Sequence, residues 1–160
     1  MSGLRIIIPG DPIPKGRPRA RIVTPKGKKP FVSVYSDSQT EKEERRIRWE
    51  AAAVMASSDK ALYTTPVKLY FEFYMPIPSS FSKRQLQQIE QGLLFPAKRP
   101  DIDNLEKLIM DAFNGVVYDD DKQVIEKYSI KKYSKNPGTI VTVTEIGLNH
   151  VTDLFKQTII

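Results

Sequence analysis

Between Val67 and Met75 the chain reads VKLYFEFYM, an alternation rich in β-branched and aromatic residues. A period of two belongs to a strand, whose successive side chains point to opposite faces, so this segment predicts a central strand and commits the chain to a sheet. Further strands follow from LRIIIP, closed by Pro9 and Gly10, and from QVIEKYSIKKYS and GTIVTVTEI, joined by a turn at Asn136-Pro137-Gly138. FVSVY, from Phe31 to Tyr35, is a shorter strand candidate.

Other segments carry the helical period. From Asp103 to Phe113, the residues Leu105, Leu108, Ile109, Ala112 and Phe113 share one face, and Asn114-Gly115 ends the helix. SDSQTEKEERRIRWEAAAVMASS has helix-forming composition, with caps available at Ser36 to Ser38. Its Glu41/Arg45 and Glu44/Arg48 spacings predict i,i+4 pairs on a solvated face. Ser82 predicts a cap for a short helix through Gln91, with Gly92 as its stop. The expected fold class is therefore α/β: a single compact domain with a small mixed sheet and helices packed against it. The sheet draws on strands near Ile6, Phe71, Ile125 and Val141, and the two longer helices cover it. Strand order does not follow from the pattern.

A chain of 160 residues supports one domain with a genuine core. With 40% hydrophobic and 28% charged residues it reads as globular and soluble rather than disordered. There is no cysteine and one histidine, His150, which excludes disulfides, thiolate nucleophiles, Cys-ligated zinc and most catalytic triads. Hydrolytic chemistry would have to use carboxylates, lysine or hydroxyls. No apolar stretch approaches the roughly 20 residues that span a bilayer, and the N-terminus lacks a secretory pattern, so the expected location is cytoplasmic with no membrane partner.

The formal net charge of +6 points toward a polyanionic partner such as nucleic acid. Much of that charge lies in GDPIPKGRPRARIVTPKGKKP, where Lys15, Arg17, Arg19, Arg21, Lys26, Lys28 and Lys29 stand against the single acid Asp11. Its prolines and glycines forbid a continuous helix, so it reads as a basic arm or hairpin.

Against this background, RPDIDNLEKLIMDAFNGVVYDDDKQV concentrates acid. Asp103 and Lys107 fall on one line of the helix, opposite its apolar stripe, and Asp101 lies just before the first turn. Asp119, Asp120 and Asp121 follow the helix and would join the first pair only if the connecting loop folds over them. Two readings stand side by side. In one, the carboxylates hold a hard cation such as Mg²⁺ for phosphodiester chemistry, and Lys107 offsets developing negative charge. In the other they cap a helix, pair at i,i+4 and shape a turn.

The block KRPDIDNLEKLIMDAFNGVVYDDDKQV closely resembles the signature of the RusA family of Holliday-junction resolvases. That signature has an Asp-x-Asp-Asn opening, a lysine shortly after, an Asp-Ala-(Leu/Phe)-Asn-Gly helix end, and paired aspartates before Gln-Val or Gln-Ile. IPGDPIPKGRPRARI also looks like the family's opening strand and basic loop.

The resemblance implies a homodimeric, Mg²⁺-dependent endodeoxyribonuclease, with Mn²⁺ as a substitute. Such an enzyme would cut four-way DNA junctions by paired symmetric nicks in recombination and repair, and would be bacterial or phage-encoded. It implies metal-binding aspartates at Asp101, Asp103 and Asp121, with Lys107 as the catalytic lysine and Asn104 orienting an aspartate. The triple DDD departs from the family's pair, so Asp120 stands in reserve for Asp121. Lys15, Arg17 and Arg19 become DNA contacts. A RusA-like endonuclease domain is expected over residues 1–146, with a C-terminal extension of unassigned role over 147–160.

Three rivals remain: a non-catalytic, structure-selective DNA-binding protein; a nuclease without junction preference; and a glycosyltransferase reading of DIDN, which the chain is too short to support. Arg45, Arg46 and Arg48 could grip a DNA backbone, and Trp49 is expected in the core or a dimer contact. Tyr70, Phe71, Phe73 and Tyr74 are expected to pack within the sheet, and His150 to lie on the surface.

Overall fold

In the computed structural model, which describes residues 3–35 and 37–147, the alternating segment forms β4 (Val67–Pro76). Every second side chain from Val67 to Met75 is buried, as the period of two requires. The remaining elements are β1 (Leu4–Pro9), β2 (Arg19–Val23), β3 (Phe31–Tyr35), α1 (Ser38–Ser57), α2 (Lys83–Glu90), α3 (Ile102–Phe113), β5 (Val124–Ser134) and β6 (Gly138–Glu145). A single 3₁₀ turn, Asp121–Gln123, leads into β5.

The main sheet has the order β1-β6-β4-β5. β6 runs antiparallel to both neighbours, with Val141 opposite Ile6 on one side and Phe71 on the other. β4 and β5 are parallel, so the sheet is mixed, as expected. Parallel neighbours require a crossover. Here the crossover spans 77–123, carries α2 and α3, and lays α3 back over the sheet before β5 begins.

One sheet face holds the core. Leu4, Ile6 and Ile8 of β1, the inward residues of β4, and Val141 and Val143 of β6 meet Ile47, Ala51 and Met55 of α1 and the apolar stripe of α3. Each large side chain buried there contributes about 1.5–3 kcal/mol relative to exposure. On the opposite face the Tyr70 and Tyr128 rings stack at 5.3 Å, while Ile7 is exposed. Tyr70 thus packs within the sheet but outside the core, whereas Phe71 and Phe73 are fully buried.

The local signals at helix ends largely hold. Ser82 accepts from the Gln85 backbone N–H while the Gln85 side chain reaches back to the Ser82 N–H, a reciprocal capping box. Asn114 caps α3, and Gly115 takes φ +71°, a conformation that favours glycine.

One side-chain expectation fails, and a second keeps only one of its two alternatives, the dimer contact. The i,i+4 pairs of α1 do not form: Glu43, buried against the core, holds Arg46 through two hydrogen bonds, and Glu44 turns to Lys15. Trp49 does not enter the core but is 77% exposed, because it lies off the α1 face carrying Ile47, Ala51 and Met55.

The basic segment resolves into an extended arm, residues 10–18, followed by the β2-β3 hairpin. His150 and almost all of the expected extension, residues 148–160, lie outside the described residues. Among the described residues, no helix is long and apolar enough to cross a membrane.

Candidate active site

Helix α3 is the axis of the site because its two faces are chemically distinct. Leu105, Leu108, Ile109, Ala112 and Phe113 anchor it to the sheet, leaving Asp103 and Lys107 exposed on the other side. Asp101 occupies the N-cap, yet its side chain makes no capping hydrogen bond. Capping therefore does not account for that carboxylate.

The triple aspartate separates by role. Asp120 accepts from the Lys122 backbone N–H at 2.9 Å and donates its own N–H to Gln123 Oε1 at 3.0 Å, so it caps the 3₁₀ turn. Gln123 pins that turn by donating to the carbonyls of Tyr63 and Thr65, both at 3.0 Å. Asp121, the next residue, places Oδ2 3.5 Å from Lys107 Nζ. Asp119 is exposed, and its backbone N–H donates to the Tyr63 carbonyl.

Lys107 does not pair with Asp103, as its spacing suggests. Its ammonium lies 2.9 Å from Asp111 Oδ1, one turn further on, and within reach of Asp121. Two carboxylates on that side, one of them half-buried, outweigh a single solvated one on the other. The second oxygen of Asp111 accepts from Lys15, which also lies 3.4 Å from Glu44 of α1. The result is a chain of alternating charge, Glu44, Lys15, Asp111, Lys107 and Asp121, that ties together the arm, α1, α3 and the turn before β5.

Asp111 is the residue that sequence reasoning missed. Its signal was its place four residues after Lys107, but its second partner lies 96 positions away. Burial raises its pKa, and the hydrogen bonds and charges of Lys15 and Lys107 reverse that, leaving the carboxyl below its ordinary range. The Asp111 hydrogen bond raises Lys107 above the usual lysine value against partial desolvation, with added attraction from Asp111 and Asp121. Burial opposes the charge of Lys15, but Asp111 and Glu44 more than compensate, and its pKa is also raised. Beneath them Tyr118 is fully buried, donates to the Met110 carbonyl at 3.0 Å, and is held protonated by burial and by the neighbouring carboxylates.

The arm is fastened alongside. Lys15 N–H donates to the Asn104 carbonyl at 2.9 Å, and Gly16 N–H donates to Thr40 Oγ1 at 3.0 Å. A Cβ on Gly16 would stand 2.7 Å from that same hydroxyl oxygen, so the seat requires glycine. Between arm and helix start lies an open groove of about 680 Å³, lined by Lys15, Arg17, Arg99, Pro100, Asp101 and Asn104 among others. Arg17 and Arg19 are exposed, whereas Lys15 is half-buried in its ion pairs.

Among the described residues, no three acidic or histidine side chains stand together as a ready metal cage, and the three aspartates that the family resemblance implies, Asp101, Asp103 and Asp121, are not gathered into one here. The donor chemistry nevertheless suits a hard cation: the groups are carboxylates, and those of Asp101 and Asp103 enter no ion pair among the described residues. Mg²⁺ characteristically takes one or two carboxylates and completes its shell with water and substrate phosphate.

Fold and site together define a mixed α/β domain carrying a carboxylate-lysine cluster beside a basic groove. The sequence model of the family described as Endodeoxyribonuclease RusA matches residues 9–144, and the chain belongs to that family of DNA endonucleases. It is also similar to a Bacillus subtilis (strain 168) protein described as uncharacterized protein YqaN, with 31% identity over 153 residues, covering 92% of this chain and 99% of that one.

Proposed function

We propose that this chain is a Mg²⁺-dependent endodeoxyribonuclease that resolves four-way DNA junctions as a homodimer, by paired nicks, in recombination and repair. The observation that carries the reading is the Lys107 ammonium standing beside Asp121, on the helix whose exposed start bears Asp101 and Asp103, next to a basic groove. Family membership supplies the endonuclease class.

Asp101, Asp103 and Asp121 are the residues that would hold Mg²⁺, with Mn²⁺ as a substitute. The cation would neutralise the phosphodiester and promote attack by water. Lys107 would stabilise negative charge developing on the phosphate or the leaving oxygen, an electrostatic contribution that such donors make at about 10²–10³-fold in rate. Asn104 lies one residue beyond Asp103 and would orient a carboxylate. Arg17 and Arg19 would contact backbone phosphates, which position DNA without reading its sequence. A two-fold dimer would present one pocket to each of two opposed strands.

The test is incubation of purified protein with four-way junction, linear duplex and flap DNA in parallel, each with Mg²⁺, Mn²⁺ or Ca²⁺. Junction cleavage with Mg²⁺ and Mn²⁺, and binding with little turnover in Ca²⁺, is the expected result. Equal cutting of all three DNAs would replace the reading with a nuclease lacking junction preference. Junction binding with no product in any cation would make the chain a DNA-binding protein.

A further inference from the structure

The charge chain from Glu44 to Asp121 contains two carboxylates that neither the groove nor the proposed cation set uses, Glu44 at its end and Asp111 at its centre. Asp111 divides its two oxygens between two lysines that come from different parts of the fold. Oδ1 accepts from Lys107 at 2.9 Å and Oδ2 accepts from Lys15. Its side chain is only 16% exposed, against 55% for Lys107, so the less mobile partner is the carboxylate. A half-exposed lysine has many rotamers to lose on being fixed. Lys107 therefore owes its place beside Asp121 largely to Asp111, since Asp121 itself lies at the longer distance of 3.5 Å.

We propose that Asp111 is the positioning residue for Lys107, holding its ammonium toward Asp121 while fastening the basic arm to α3 through Lys15. This rests on the reading of Lys107 as the charge-stabilising group at the cleavage site. The consequence is mechanical. The same carboxylate that aims the lysine also ties the arm that lines the groove through Lys15, alongside the arm's bonds to Asn104, Thr40 and Glu44, so groove and site share a joint. Preorganised charge of this kind acts without reorganisation during the reaction, and a loosely held ammonium would lose that advantage.

The experiment compares the full-length wild type with Asp111→Asn, which keeps the shape and removes the charge. Lysine side-chain ¹H–¹⁵N spectra should show two slowly exchanging ammonium signals in the wild type, assigned to Lys15 and Lys107 with K15Q and K107Q, and both should vanish in D111N. A through-hydrogen-bond coupling between Lys107 Nζ and the Asp111 carboxyl carbon in the wild type gives the same answer if D111N does not fold. In single-turnover cleavage at saturating junction, D111N should be slower by about 10-fold or more, with a smaller loss of junction affinity, because the arm loses its Lys15 ion pair but keeps its backbone hydrogen bonds to Asn104 and Thr40. In a K107Q background the same substitution should cause no further loss.

Unchanged ammonium signals, or an absent coupling, would overturn the proposal. So would an equal loss from D111N in both backgrounds, because Asp111 would then act independently of Lys107. A wild type that cleaves nothing would remove the endonuclease reading, while the spectra would still decide whether Asp111 holds the lysine.

Discussion

At the scale of single residues, the two adjacent aspartates Asp120 and Asp121 differ in what their carboxylates do. One is spent on a turn and the other faces an ammonium. Asp121→Asn should therefore lower junction cleavage by about 100-fold or more while leaving binding intact. Asp120→Ala should leave the chemistry within a few-fold and cost about 0.5–2 kcal/mol of stability through the lost cap; gel-resolved cleavage and urea melts distinguish the two. Asp111 adds a pH dependence of definite sign. Its folded-state pKa is depressed, so its stabilisation is present above the unfolded carboxyl value near about 4 and is lost as pH falls through the lower folded value. Asp111→Asn should flatten the acid limb of the stability curve below about pH 4 and leave its neutral slope unchanged, as read by chemical denaturation across pH.

Among the elements, the basic arm behaves as a built part rather than a loose loop. Its backbone is pinned to α3 at Asn104 and to α1 at Thr40, and Gly16 permits that approach. Gly16→Val should detach the arm and weaken junction affinity while leaving the sheet intact; binding isotherms together with the melting temperature would show the split. Helices and strands were legible where a local period or cap dictates them, as in β4, in α3 and at Ser82. What was illegible is tertiary. Lys107 has a carboxylate four residues away in each direction, and spacing alone cannot choose between them. The choice of Asp111 depends on where the crossover delivers Asp121 and on where the arm delivers Lys15. Lys15 read as a DNA contact from the resemblance and its basic loop, yet its ammonium faces Glu44 of α1 and Asp111 of α3.

For the molecule as a whole, the sheet explains why such separated segments meet. The parallel pairing of β4 with β5 forces the chain to return across the sheet, and that return carries both Asp101 and Asp121 on one connection. Phe71, fully buried at the centre of β4, is a keystone of that arrangement, and Phe71→Ala should cost about 3–5 kcal/mol. The exposed sheet face, the exposed Trp49 and the proposed pairing of two pockets are all compatible with a dimer, for which sedimentation equilibrium should give about twice 18.3 kDa. The central claim is that the carboxylates and lysine around α3 cut DNA at a branch. Its most direct test is nucleotide-resolution mapping of products from a four-way junction incubated with Mg²⁺ and either wild type or Asp103→Asn. Symmetric nicks in two opposed strands by wild type, with bound but uncut junction for the variant, are the predicted outcome. Wild-type rates of nicking by Asp103→Asn would contradict the account.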